Sequence, residues 1–557
     1  MKKVNSDKGL SRVKELFDIL SSTKTPIDLS SCIAKLKDVL DSASDQSIRI
    51  VLLGSFADGK TSTIAGLMGE VMDDMKIDSD ESSDELTVYR PQNLKKGYVI
   101  IDTPGLFGTK EREINGENVQ LSDMTIKYIS EAHIVMYVTS AVAPVKESHS
   151  AILKRVLRDL GKLDSTIFVL NKMDETGAII TNDESYNEMA KRKKQFLIDR
   201  LEGIINITQE EAQKLKVVCI SADPKRKGIQ NWLETPEKYN QLSRIGSLQS
   251  SLNSVIASSD NDKLRAEAYA SSLKDVMYTF ACIYNNYTRP LRENITIFNE
   301  DFEDLQSHLD RAKNSILKAK GEMIRQLEQL RKTLLQKISG CSYEEMGTIL
   351  QNDIGIENNK ATFYVVEANV NAILSDCSLS NETSLSFAWT EMKAKFEKQD
   401  EMFKNLSNAG IEALKRVDNK TVLAARDIFC KGYKFKPWGA VKAANKVGKV
   451  AGILQVIIAG IEIFMQWKRN RDLKKMVNAL SDALSRYFTD IYKLMASDED
   501  YFNNFAPAYM EMVNALAERK QEAKELDDAL SSVEALKSKV SGFYGVNIED
   551  VEFEELI

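Results

Sequence analysis

Along the first 46 residues apolar side chains recur every three or four positions, at Leu10, Val13, Phe17 and Leu20 and again at Ile33, Leu36 and Leu40. That period sets them on one face of a helix, so two amphipathic helices are expected at the start of the chain. The pattern then changes. Five short apolar runs, 48–53, 98–101, 134–138, 167–170 and 217–220, are separated by longer stretches of helical period. Runs apolar on both faces suit strands covered from both sides, the arrangement of a parallel sheet in an α/β domain.

Past residue 250 the helical period returns and persists. One stripe runs through Phe302, Leu305, Leu309, Ala312, Ile316, Met323, Leu327, Leu330, Leu334 and Ile338. A second, Leu473, Val477, Leu480, Leu484, Tyr487, Ile491 and Leu494, keeps strict 4-3 steps, as does most of Met512, Leu516, Ala523, Leu526, Leu530, Val533 and Val540. Such seams need partner helices, from an antiparallel bundle within the chain or from a coiled coil between chains.

Composition narrows the picture. At 557 residues there is room for more than one domain. The six cysteines are scattered without a CxxC pair and the three histidines are unclustered, so neither a disulfide frame nor a zinc site is expected. The polar stretch 1–9 lacks a signal-peptide core, and a cytoplasmic location is expected, with a peripheral membrane role if the basic segment described below meets lipid. A net charge of −7 argues against a nucleic-acid partner, whose binding rests on phosphate neutralisation.

The candidate chemistry lies at the ends of the apolar runs. After the first comes Gly54-Ser-Phe-Ala-Asp-Gly59-Lys60-Thr61, the GxxxxGK[ST] spacing of a phosphate loop. Backbone N–H groups around Gly54, Ala57, Asp58, Gly59 and Ser62 would wrap phosphates, Lys60 would place a charge between the β- and γ-phosphates, and the Thr61 hydroxyl would ligate magnesium. After the second run comes Asp102-Thr103-Pro104-Gly105, where Asp102 suits a magnesium ion through water and the Gly105 N–H suits the γ-phosphate. After the fourth comes Asn171-Lys172-Met173-Asp174. An ionised carboxylate only accepts hydrogen bonds, and guanine offers adjacent N1–H and amino donors that adenine lacks, so Asp174 selects GTP over ATP. Ser221 and Ala222 close the last run, where a backbone N–H suits the guanine O6. The expected cofactors are GTP, GDP and Mg2+, with Lys60, Thr61, Asp102 and Gly105 as the catalytic set.

These motifs, in this order, resemble the dynamin superfamily, in particular bacterial dynamin-like proteins, whose loop and first helix run approximately GxFxxGKSTxxxxLLG; here Gly54, Phe56, Gly59, Lys60, Thr61, Ser62, Leu67, Met68 and Gly69 fill those places. The resemblance implies an α/β plus all-α fold: a Ras-like P-loop G domain with N-terminal helices and a long C-terminal helical bundle or stalk. It divides the chain into N-terminal helices at 1–46, a G domain at 47–245, a helical bundle at 246–430, a paddle-like segment at 431–475, and returning helices with an acidic tail at 476–557. It also implies GTP hydrolysis coupled to movement of the helices, with a homodimer through paired G domains. The chain departs from the family at the water. Phe56 and Ala57 stand where eukaryotic dynamins carry Gln and Ser, and Leu106 where Ras-type proteins carry Gln, so hydrolysis is expected to be slow without a dimer partner or a charge-compensating cation. For the switch hydroxyl the acidic stretch 78–86 and the residue after it leave Ser79, Ser82, Ser83 and Thr87 open, Thr87 favoured by residue type and Ser82 or Ser83 by distance before the next strand.

Residues 431–475 hold eleven basic and two acidic side chains, a net +9 against −16 for the remainder. Trp438 and Trp467, two of the four tryptophans, bracket an apolar run that carries Ile453, Ile457 and Ile461. Aromatic belts and lysine clusters suit an anionic lipid surface, but the central Glu462 disfavours a full span, so a shallow hairpin is expected. The alternative is a helix packed in the bundle, its lysines a solvated rim. Two functions follow: a membrane-remodelling or vesicle-associated GTPase, or a GTP-dependent switch or scaffold that binds protein partners through its helices. A coiled-coil ATPase is disfavoured by Asp174.

Overall fold

The computed structural model of the chain describes residues 3–45, 47–55, 58–72, 87–90, 98–103, 111–114, 117–146, 149–258, 261–355, 363–414 and 472–550. The five apolar runs form β1 (Ile48–Leu53), β3 (Tyr98–Asp102), β6 (Ile134–Ser140), β7 (Thr166–Asn171) and β8 (Lys216–Cys219), joined by a short β2 (Thr87–Tyr89). Their order is β2-β3-β1-β6-β7-β8. All pairs are parallel except β2 with β3. Strands β6 and β7 are buried almost end to end, which is why they read as continuous apolar runs. With β1 at the centre, Leu52 lies beside Asp102 on one side and Met136 on the other, so the C-terminal ends of β1 and β3 lie side by side.

Strand β2 departs from the expected pattern. It is three residues long, antiparallel and at the sheet edge, with Val88 46% exposed, so it carries no apolar period. It places Thr87 opposite Asp102. A hairpin of β4 (Glu111–Ile114) and β5 (Glu117–Gln120) forms a second, separate sheet.

The later stripes lie on long helices, Asn261–Gly340, Tyr364–Leu414, Leu473–Lys493 and Pro507–Tyr544. The first stripe is buried except for Leu330, which is half-buried, and the third is buried throughout. The second shifts at its ends: Met476 and Met495 are buried while Leu473, Val477 and Leu494 are half-exposed. A strict 3.5-residue repeat drifts about 20° per heptad on a straight helix of 3.6 residues per turn, so away from its middle the buried face slides off a seam read as 4-3.

By internal contacts the chain forms two compact units, one from the described residues of 1–290, 407–428 and 529–557, the other from those of 291–406 and 429–528. The first holds the sheet and a helical core in which Val13, Leu16, Leu20, Leu36 and Val39 meet Leu273, Phe280, Tyr284, Val533 and Val540. Among the described residues no helix is long and apolar enough to cross a membrane. Ala57, Gly105, Ser82, Ser83, Trp438, Ile453, Ile457, Ile461 and Trp467, like Phe56 and Leu106, lie outside the described residues.

Candidate functional site

The loop that leaves β1 owes its shape to two glycines. A Cβ on Gly54 would sit 2.2 Å from the Val138 carbonyl oxygen, so only glycine lets the end of β1 run this close to β6. Gly59 has φ +82° and caps the helix Lys60–Met68, and a Cβ there would fall 2.4 Å from Asn171 Nδ2. Between them Ser55 and Asp58 satisfy each other's polar groups. Ser55 N–H donates to Asp58 Oδ2 at 3.1 Å, and Asp58 N–H donates to the Ser55 carbonyl at 3.2 Å.

Lys60 opens the helix, is 4% exposed, and donates to the carbonyl oxygens of Gly54 at 2.9 Å and Ser55 at 3.2 Å. Burial lowers its pKa, opposed by the nearby Asp102 and Asp58 carboxylates. Asp102, at the end of β3, is 1% exposed; its Oδ2 accepts from Thr61 Oγ1 at 3.0 Å, and its Oδ1 is buried without a hydrogen-bond partner. Burial raises its pKa, and the Lys60 charge and the Thr61 hydrogen bond pull it down. A buried oxygen left unpaired carries a desolvation penalty that a cation would relieve. The hydroxyl-carboxylate pair with one oxygen to spare is a donor set that fits a hard divalent ion such as magnesium.

Asn171, at the end of β7, ties this half of the site to the next. Its Nδ2 donates to the Asp58 carbonyl at 2.9 Å, while its Oδ1 accepts from the N–H groups of Lys172 and Ala222, both at 2.8 Å. Lys172 takes a left-handed conformation at φ 63°, which turns the chain so that Asp174 reaches the loop after β8. There Asp174 N–H donates to Ser221 Oγ at 3.2 Å and Lys225 N–H donates to Asp174 Oδ2 at 2.7 Å. The described motif residues, far apart in sequence, thus gather at the C-terminal ends of β1, β3, β7 and β8, where doubly wound sheets hold their ligands.

Three residues that the motifs do not single out belong to this neighbourhood. Ser55 Oγ lies 2.9 Å from His149 Nε2, and Tyr137 OH lies 3.1 Å from His149 Nδ1. Asp223 follows Ala222; its Oδ2 accepts from Gly228 N–H at 3.2 Å, its Oδ1 is buried without a hydrogen-bond partner, and burial raises its pKa. Only its position one residue after the closing motif could have flagged it.

The sequence profile of the dynamin-like helical domain matches residues 207–531, and that of the dynamin family matches 71–173. Neither match reaches the loop 54–61, whose reading rests on its own residues. Among solved structures the chain is similar to LeoA, a bacterial dynamin GTPase from ETEC, at 25% identity over 98% of this chain and 99% of that one, with a TM-score of 0.35. A bacterial dynamin pair, described as sensing and tethering membranes at long range, shares 15% identity over 74% of this chain and 80% of that one, TM-score 0.29. Toc33 from Arabidopsis thaliana, in complex with GDP and Mg2+, shares 18% over 40% of this chain and 93% of that one, TM-score 0.24. No curated protein matches. With the helical-domain profile spanning more than half its length and the dynamin profile lying on its sheet domain, the chain belongs to the dynamin family of GTPases.

Proposed function

We propose that the chain binds GTP at the C-terminal edge of its sheet, hydrolyses it, and couples the cycle to movement of its helices at a membrane. The observation that carries the nucleotide part is the cluster of the buried Lys60 and Asp102 with the half-buried Thr61, beside Asn171, which ties the Asp58 carbonyl to the backbone of Lys172 and Ala222. Lys60 is desolvated and held by neutral carbonyls, so a phosphate can replace them at small cost in reorganisation. Thr61 and Asp102 would hold magnesium, which supplies charge neutralisation across the phosphates. Asp174 accepts from the guanine edge, and Ser221 and Lys225 fix its orientation. Ala57 and Gly105 would add backbone donors to the phosphates, and Thr87, Ser82 or Ser83 the switch hydroxyl.

Phe56, Ala57 and Leu106 supply no water-positioning side chain, which supports a slow basal rate raised by pairing with a second G domain. The membrane part rests on residues 431–475, with net +9 around an apolar run. Each exposed cation near an anionic surface contributes about 1 kcal/mol. The second reading, a scaffold whose helices bind protein partners, rests on the alternative that this segment packs as a helix of the bundle.

Two measurements test the proposal. Asp174→Asn should weaken GTP and strengthen xanthosine triphosphate, because the amide can donate to the extra oxo group of xanthine; equal loss of both by a folded variant removes Asp174 from the base site. In flotation with anionic vesicles at low salt the chain should rise with the lipid, and Ile453→Ser, Ile457→Ser and Ile461→Ser together should reduce flotation while sparing GTP turnover. A wild-type chain that stays with the soluble fraction, and a triple variant that unfolds, favour the scaffold.

A further inference from the structure

After β6 the chain comes back to the phosphate loop at His149, whose ring meets Ser55. Ahead of it the backbone takes a costly conformation: Val145, β-branched and 2% exposed, sits at φ 58°, a region that β-branched residues avoid. Backbone strain of this kind persists where surrounding structure holds it and tends to collect at functional sites. Downstream of it, the exposed Lys146 lowers the Asp58 pKa against its burial, and His149 N–H donates to the Lys146 carbonyl at 3.0 Å. The His149 ring, 1% exposed, then lies between Ser55, 8% exposed, and Tyr137 on β6, 0% exposed.

We propose that His149 is a positioning residue of the phosphate loop, a tether from β6 that holds Ser55 by its side chain and so fixes the first turn of the cradle; this rests on the reading of residues 54–61 as the phosphate site. Ser55 is a productive place to hold. Its N–H meets the Asp58 carboxylate and its carbonyl meets Lys60, so fixing its side chain fixes the starting geometry of both charged groups. Burial pushes the His149 pKa down to about 4, helped by Lys146, so the ring carries one proton at neutral pH. A phenol is a better donor than an alcohol, so Tyr137 donates to Nδ1 and the Nε2–H donates to Ser55 Oγ. A loop held this way loses less freedom when a nucleotide binds, and the tether acts on affinity more than on the chemical step.

The two ring nitrogens can be separated by substitution. His149→Gln places an amide near Nε2 and keeps the bond to Ser55; His149→Asn mimics Nδ1, keeps Tyr137 and loses Ser55. In titrations of the full chain with a fluorescent GTP analogue, His149→Asn should bind about fivefold more weakly, as expected for one lost hydrogen bond, with kcat within about twofold. His149→Gln should stay within about twofold of wild type. Ser55→Ala should match His149→Asn, and the double variant should be no weaker than either single one. Equal behaviour of the Gln and Asn variants, or additive losses in the double variant, overturns the tether. A second readout avoids both folding and nucleotide. With three histidines in the chain, 15N-histidine labelling should resolve His149 as one Nε2–H tautomer that does not titrate between about pH 8 and 5.5. An averaged tautomer, or an ordinary histidine midpoint, overturns it. A chain that shows the single tautomer yet binds no guanine nucleotide upholds the tether and overturns the reading of the loop.

Discussion

At the C-terminal ends of β1, β3 and β7 the side chains of Asp58, Lys60, Asp102 and Asn171 are each 4% exposed or less, whereas in residues 291–406 and 472–528 charge stays mostly at the rims of apolar seams. Among the described residues of that second unit, Arg519 at 2% is the one charged residue so fully buried. It is paired with Asp400 and Glu522, and its guanidinium lies 5.1 Å from the centre of the Phe396 ring. The contrast separates two uses of burial. In the helical unit buried charge is matched within the chain, so its contribution is to structure. At the sheet edge Lys60 rests on neutral carbonyls and Asp102 keeps an unpaired oxygen, so charge is desolvated beyond what the fold needs. Charge held in that way gains most from a ligand of opposite sign, because the desolvation cost is already met in the free protein.

The largest effect should come from Lys60→Ala, which removes the desolvated charge from the ligand side of the comparison. A charge-assisted contact to phosphate is worth about 3 kcal/mol at best, so GTP affinity should fall by up to about 100-fold. Thermal unfolding should change little, since the carbonyls of Gly54 and Ser55 become accessible to water. Calorimetric titration checks the first statement and a melting curve the second; unchanged affinity would remove the loop from the nucleotide site.

Arg519→Ala should show the opposite signature. It leaves the Asp400 carboxylate without its partner and takes the guanidinium from Phe396, and breaking a buried pair in this way costs about 3 kcal/mol. Unfolding of the helical unit should shift to lower temperature while GTP affinity stays at the wild-type value. A matching loss of affinity would show that the two uses of burial are not separable.

What the sequence made legible follows the same line. Strands β1, β3, β6 and β7 were readable because both faces are mostly buried, β8 because it closes on a buried apolar end, and Lys60, Thr61, Asp102, Asn171 and Asp174 because each falls in a motif that starts at or just past a strand end. Tyr137 and His149 were not, since the tie from His149 to Ser55 spans 94 residues in the chain and no local pattern encodes it. Strand β2 was too short and too exposed to show a period. Arg519 reads in sequence as a gap between Leu516 and Ala523 in an apolar stripe, and only the carboxylates brought to it explain its burial.

Acid should weaken the sheet unit through His133, which tests whether its desolvated groups carry a measurable cost. His133 Nδ1 accepts from Arg49 N–H at 3.1 Å, and burial, with the Lys162 and Arg49 charges, pushes its pKa down to about 3. Between the ordinary histidine value of about 6.5 and that lower value, the unfolded chain binds a proton that the native chain refuses, so stability is lost as pH falls through about 6.5. His133→Asn keeps an acceptor for Arg49 and cannot titrate. Relative to wild type it should therefore gain on the order of 1–2 kcal/mol on moving from about pH 7 to pH 5. Parallel curves for the two proteins would show that His133 titrates normally.

The smallest effect should come from Lys395, which bridges Asp301 at 3.1 Å and Asp304 at 2.6 Å in the helical unit. The pairing lowers the Asp304 pKa and raises that of Lys395 against a burial effect of opposite sign, yet Asp304 is 48% exposed and water screens the attraction. Removing the ammonium also leaves Asp301 satisfied, because Gln399 Nε2 donates to its Oδ2 at 3.2 Å. Lys395→Ala should thus cost less than about 1 kcal/mol, and the difference from wild type should shrink further in molar salt. Arg519→Ala measured beside it in the same melting experiment sets the scale: both remove a cation from a pair, and only burial separates them. If the Lys395 variant loses as much as the Arg519 variant, exposure is not what divides the ion pairs of this unit, and the contrast rests on the C-terminal ends of the strands alone.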